Sequence, residues 1–127
     1  MTPEKIAVSG TEHGVQAAFF ASLAPHYEMH PELRLMFAIP NGGQRNPATA
    51  GRLKAEGVKA GVPDTFLPVA RRDFHGLFIE FKKFGGKTSE KQNEIILRLL
   101  QQKYDVQICY SWQDALKIVL DYLGGVK

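Results

Sequence analysis

In Leu77-Phe78-Ile79-Glu80-Phe81-Lys82 an acid and a base stand two residues apart inside an otherwise apolar run. With the two-residue period of a strand, Leu77, Ile79 and Phe81 share one face, while Glu80 and Lys82 share the other with Cα atoms about 6.6–7 Å apart. A carboxylate and an ammonium that close can converge on one small ligand. In a strand that otherwise reads as core, the pair is costly unless it is matched or binds something. A second acid comes from the segment before it. An antiparallel hairpin turning symmetrically about Arg72 sets Asp64 directly across from Glu80, with about 4.5–5.5 Å between facing residues. Facing carboxylates repel unless a cation separates them. A hard divalent ion such as Mg2+ takes oxygen ligands and keeps water and phosphate around it, so it is the natural occupant.

The elements that must position these groups are readable from patterning. Thr11 caps a helix with Val15, Ala18, Phe19 and Leu23 on one face, ending near Pro25. Residues 33–39 read as a first strand, closed by the turn residues Pro40, Asn41, Gly42 and Gly43. Asn46 as cap, Pro47 at the first helical position and Gly57 past the end bracket a helix over 48–56. Residues 64–69 and 74–83 form the hairpin strands. Ser89 and Gln92 make a capping box for a helix with a buried stripe of Ile95, Ile96, Leu99 and Leu100. A fourth strand covers 105–110, and Ser111 caps a last helix carrying Ala115, Leu116, Val119, Leu120 and Leu123. A hairpin combined with a strand-helix-strand crossover implies an α/β fold, a mixed sheet of about four strands flanked by helices.

The chain has 127 residues and a mass of 14.2 kDa, which fits one domain over 1–127 that buries about two-thirds of its extended surface. Its longest nearly apolar stretch, 15–25, is interrupted by Gln16, Ser22 and Pro25 and falls short of the about 18 residues that a membrane span needs. The first ten residues lack the basic-then-apolar order of a signal peptide, and Cys109 is the sole cysteine, so a reducing, cytoplasmic setting is expected. Charge is uneven. Residues 45–91 hold ten Lys and Arg against five acids, a net of +5, while the remainder nets −2. That basic middle fits a polyanion-facing surface, and an ordinary solvated face fits it equally well.

Three linked blocks then make the pattern specific: Phe37-Ala38-Ile39-Pro40-Asn41-Gly42-Gly43; Lys54-Ala55-Glu56-Gly57-Val58-Lys59-Ala60-Gly61-Val62-Pro63-Asp64; and Gly76-Leu77-Phe78-Ile79-Glu80-Phe81-Lys82, followed by Gln92. Together they resemble the virus-type replication-repair nuclease (VRR-NUC) family of the PD-(D/E)XK nucleases, over about residues 11–123. The resemblance implies a restriction-endonuclease-like fold and Mg2+- or Mn2+-dependent phosphodiester hydrolysis in DNA. For stand-alone members it also implies a homodimer acting on branched DNA such as four-way (Holliday) junctions. By the same resemblance, Asp64, Glu80 and the Phe81 carbonyl hold the metal and Lys82 is the catalytic lysine. Gln92 contacts the attacking water or the phosphate. An acid from the first helix, best matched by Glu12 and less well by Glu28 or Glu32, joins the ligands. Arg45, Arg52, Lys54, Lys59, Lys83 and Lys87 flank the site in sequence and suit phosphate contacts that position DNA without reading bases.

Other features read as structural. Asn41-Gly42-Gly43 lacks the spacing of a phosphate loop. His26 and His30 have no third metal ligand in sight. Cys109 reads as a small buried hydrophobe, and Trp112 and Tyr122 as core or dimer surface. Competing functions are a nuclease of plain duplex, flaps or single strands, and a catalytically silent DNA-binding module of the same fold.

Overall fold

The computed structural model describes residues 2–7, 11–40 and 46–124. A short helix α1 (Pro3–Ala7), too brief to register as periodicity, packs on α2 (Glu12–Ala21). The Thr11 hydroxyl starts α2 by accepting the Gly14 N–H at 2.9 Å. Single 3-10 turns follow at Ala24–His26 and Pro31–Leu35. The second of these replaces most of the strand expected over 33–39, of which only β1 (Phe37–Ala38) pairs as a strand. Leu33 and Met36 explain the difference: both are buried, three residues apart, and a three-residue turn brings that spacing to one side where a strand would split it. The turn residues 41–43 and Arg45 lie outside the described residues.

Asn46 caps α3 (Pro47–Ala55) by accepting the Thr49 N–H, and none of the helix's residues is buried. Then come β2 (Thr65–Leu67), β3 (Leu77–Phe81), α4 (Glu90–Gln101), β4 (Asp105–Cys109) and α5 (Trp112–Tyr122). The strands form a four-stranded mixed sheet in the order β1-β2-β3-β4. Its β1-β2 and β2-β3 pairs are antiparallel and β3-β4 is parallel, with α4 as the crossover. Both halves of the Ser89–Gln92 capping box are present. Its stripe is not buried as expected: Ile95, Ile96 and Leu99 are half-covered, and Leu97 and Leu100 stay exposed.

The hairpin reaches its expected register by a different route. Thr65 pairs with Ile79, Phe66 with Phe78 and Leu67 with Leu77, the register of a loop symmetric about Arg72. At the tip, however, Arg71 pairs with Phe74 across a two-residue turn with Arg72 left-handed at φ 52. Three residues, 68–70, therefore oppose two, 75–76. Pro68, which has no N–H for the ladder, centres a tight turn in which the Val69 N–H donates to the Leu67 carbonyl (2.9 Å). This one-residue bulge restores the pairing. Without it Asp64 would face Phe81.

The main core lies on one side of the sheet, where Leu67, Leu77, Ile79, Phe81 and Cys109 meet Phe19, Leu23, Val119 and Tyr122. Phe19 and Phe81 have ring centroids 5.4 Å apart. The Tyr122 hydroxyl donates to the Val69 carbonyl at 2.7 Å, pinning the bulge to α5. Burial pushes the Cys109 thiol up to about 12, as befits a packed hydrophobe. On the opposite side Phe66 stacks on Phe78 with centroids 4.2 Å apart, and both meet Tyr104 edge-on.

Candidate active site

Extending the β2-β3 register by one residue sets Asp64 across from Glu80. The main chain of Asp64 is held by the Ile39 N–H, which donates to its carbonyl at 2.7 Å. Its side chain is held by the Phe81 N–H, which donates to Oδ2 at 2.8 Å. Gly61 brings this segment against α4. At φ +91, and with a Cβ there falling 2.8 Å from the Lys91 carbonyl oxygen, the position admits only glycine. The chain entering the site thus presses on the helical turn that carries Gln92.

Glu80 is 2% exposed. Its donors all gather on one oxygen: Gln92 Nε2 donates to Oε2 at 2.9 Å, and Lys82 Nζ lies 3.4 Å from the same atom. Oε1 is buried with no hydrogen-bond partner among the described residues. Gln92 is itself oriented, because its Oε1 accepts the Ser89 N–H at 2.9 Å, which leaves the amide nitrogen to face Glu80. Burial first, and then the charge of Asp64, push the Glu80 carboxyl up to about 7 against the pull of Lys82. Burial also raises Asp64; the Phe81 N–H opposes that shift and the charge of Glu12 adds to it.

Lys82, with a side chain 12% exposed, points its ammonium between Glu80 and Glu12, the latter 4.0 Å away. Glu12 stands in the first turn of α2, half exposed, against the lysine. No group of three or more His, Cys, Asp or Glu side chains gathers as a metal cluster among the described residues. The oxygen set that does converge is two carboxylates, one with an orphaned buried oxygen. That fits a divalent cation completing its shell with a main-chain carbonyl, water and phosphate.

The cationic residues are more dispersed. Lys83 and Lys87 are exposed in the loop leaving β3, Arg52 and Lys54 are exposed on α3, and Lys59 is exposed between α3 and β2. Arg52 is partly engaged by Glu56 at 3.9 Å. Sequence reading passed over Phe84, which is 96% exposed beside Lys83. Its signal was an aromatic interleaved with lysines ahead of two glycines.

A mixed sheet flanked by helices, with two acids and a lysine converging at the end of its central hairpin, defines the restriction-endonuclease-like class. A sequence model of the VRR-NUC domain matches residues 23–113. A solved structure described as a VRR_NUC domain protein is similar at TM-score 0.75 and 27% identity, over 89% of this chain and 88% of that one. No curated protein matches significantly. The chain belongs to the VRR-NUC family, whose domain implies nuclease-type activity on DNA and typically uses divalent metals. The matched region begins after Glu12.

Proposed function

We propose that this protein is a Mg2+- or Mn2+-dependent DNA endonuclease that prefers branched DNA and works as a homodimer. The carrying observation is the Asp64-Glu80 pair with Glu80 Oε1 buried and unpartnered beside Lys82. A fold that only needed stability would replace such a group, since an unmatched buried carboxylate is costly.

Asp64, Glu80 and the Phe81 carbonyl hold the cation in this reading. When bound, it polarises the scissile phosphate and acidifies water. Lys82 Nζ, held by Glu80 and Glu12 in a mostly buried position, directs positive charge at the phosphate where negative charge grows in the transition state. Gln92 fixes the Glu80 rotamer through Oε2, so that Oε1 stays turned to the site. Glu12 positions Lys82 from the first turn of α2. Arg45, Arg52, Lys54, Lys59, Lys83 and Lys87, which flank the site in sequence, neutralise backbone phosphates in this reading, a salt-sensitive contribution without base reading.

Two-fold symmetric branches need two sites, and one protomer has one. The exposed Leu97 and Leu100 of α4 and Phe37 of β1 offer apolar surface for a second copy.

The test is cleavage of a labelled four-way junction and a matched linear duplex with Mg2+, Mn2+ or EDTA. It compares wild type with Asp64→Ala, Glu80→Ala and Lys82→Ala. Metal-dependent junction cutting lost in all three folded variants is the expected result. Equal cutting of duplex would replace branch preference with general nuclease activity, and activity surviving Glu80→Ala would refute the site.

A further inference from the structure

The segment leaving the candidate site, Lys82-Lys83-Phe84-Gly85-Gly86-Lys87, carries the most exposed large hydrophobic side chain among the described residues, Phe84 at 96%. A closed turn sets that exposure. The Gly86 N–H donates to the Lys83 carbonyl at 2.8 Å, with Phe84 and Gly85 between them. Gly85 has φ +80, the value of the third residue of a type II turn, which L side chains rarely adopt. Upstream, the Lys82 N–H donates to the Cys109 carbonyl at 2.9 Å, so the turn springs from an anchored strand end. Phe84 is thereby held outward two residues beyond Lys82. It forgoes the burial an aromatic ring ordinarily gains in a fold.

The exposed Lys83 and Lys87 flank Phe84 in sequence, and no acid lies between residues 81 and 89. Tyr110, 45% exposed, follows Cys109, the last residue of β4 and the register partner of Phe81, just as Lys82 follows Phe81. An outward aromatic flanked by exposed lysines matches one ligand chemistry: a planar base whose face is open, joined to phosphates. In intact duplex each base face is covered by its neighbours. At a branch point whose arms are unstacked, or in a single strand, it is open.

We propose that Phe84 stacks on an open base of the DNA engaged by the Asp64-Glu80-Lys82 site and so selects branched or single-stranded regions over plain duplex. This rests on the nuclease reading and adds how the site chooses among DNA forms. The ring caps the end of a base stack while Lys83 and Lys87 hold the adjoining phosphates.

The experiment uses wild type, Phe84→Ala, Phe84→Trp and a surface control, Met29→Ala, whose side chain is 80% exposed on the turn after α2. Each is mixed with a four-way junction, a single strand or a linear duplex containing 2-aminopurine at the branch or mid-strand. Stacking is read as 2-aminopurine emission in Ca2+, and cleavage is read separately in Mg2+. The expected result is an emission change with wild type, Met29→Ala and Phe84→Trp on open bases, absent on duplex and lost in Phe84→Ala. The branch-to-duplex cleavage ratio of Phe84→Ala falls about tenfold, the scale of one base-aromatic stack. A signal on the junction alone assigns the branch point; a signal on the single strand as well assigns any open base. Phe84→Ala that keeps the wild-type emission change and ratio overturns the proposal. If wild type cuts nothing while Phe84→Ala still loses the emission change, the stacking role stands and the nuclease reading falls. If wild type binds no form of DNA, both fall.

Discussion

Alternate residues of β3 serve two faces that treat buried groups in opposite ways. On one, Leu77, Ile79 and Phe81 are fully buried against Phe19, Leu23, Val119 and Tyr122, and every neighbour is apolar or, like the Tyr122 hydroxyl, hydrogen-bonded. On the other, Phe78 packs into a half-covered aromatic group, and one pair of residues further along Glu80 keeps an oxygen with no partner. The first face stabilises the fold and the second spends part of that stability holding two acids together. Site and core therefore share one strand yet should respond to substitution with opposite signs.

The largest effect is expected on the sealed face. Phe19→Ala removes a ring with no route for solvent to fill the space, which costs about 3–5 kcal/mol. At roughly 4 °C per kcal/mol for a chain of this length, melting falls by more than about 10 °C. Phe66→Ala on the half-covered face should lose about 2 kcal/mol. Equal losses in thermal melts would erase the distinction between the faces.

Glu80→Gln should move the other way. The Glu80 carboxyl titrates near 4.5 in the unfolded chain and is pushed up to about 7 in the fold. Between those values the folded state holds more protons than the unfolded one, so stability falls as pH rises through that window. Asp64, also raised, acts in the same direction. Each unit of displacement is worth about 1.4 kcal/mol, so the metal-free protein above pH 7 carries a penalty of up to about 3 kcal/mol that a neutral glutamine removes. Melting in chelator at pH 8 should therefore rise by several degrees in Glu80→Gln. The gain should shrink to nothing near pH 4.5. Adding Mg2+ should raise the wild type and leave the variant unmoved; a variant less stable than wild type at pH 8 would contradict the argument.

The same contrast explains what could be read in the sequence. Asp64, Glu80, Lys82 and Gln92 were legible because strand alternation and a capping box are local rules, and because hairpin pairing follows from loop symmetry. Their convergence nonetheless depends on a bulge at Pro68 that symmetry does not reveal. A two-residue turn at Arg72 and one extra residue on the β2 side together yield the same register as a longer loop. The run 33–39 misled because large apolar residues suit a strand and a 3-10 turn alike, and only the joint burial of Leu33 and Met36 separates them. The outward Phe84 was passed over for a related reason: its lysines and glycines mark a loop, but hydrophobic pattern reports what a residue prefers, not where a closed turn holds it.

Tyr122 ties the sealed face to the register of the open one. Tyr122→Phe leaves the Val69 carbonyl at the bulge without its 2.7 Å donor, at a cost of about 1–2 kcal/mol. The expected drop in melting is modest. Cleavage should fall further than stability predicts, because loosening the bulge loosens the pairing that faces Asp64 with Glu80. A variant whose activity tracks its stability alone would detach the bulge from the site.

The smallest stability effect, and the sharpest test of how the open face is organised, comes from Gln92. Its side chain does two jobs: Oε1 accepts the Ser89 N–H at the start of α4, and Nε2 donates to Glu80 Oε2. Gln92→Ala loses both at every pH, about 1 kcal/mol. Gln92→Glu separates them. Glutamate at this position satisfies the capping box as well as glutamine does, so the helix start is retained. Toward Glu80, however, it presents an acceptor where a donor stood. Near pH 5 the protonated Glu80 can donate to the new carboxylate, and melting should stay close to wild type. At pH 8 two ionised carboxylates face each other across the former 2.9 Å bond, and melting should fall by about 1 kcal/mol, or roughly 4 °C. A pH-independent loss equal to that of Gln92→Ala would mean that Gln92 serves the helix alone, and that the open face holds Glu80 by some other means.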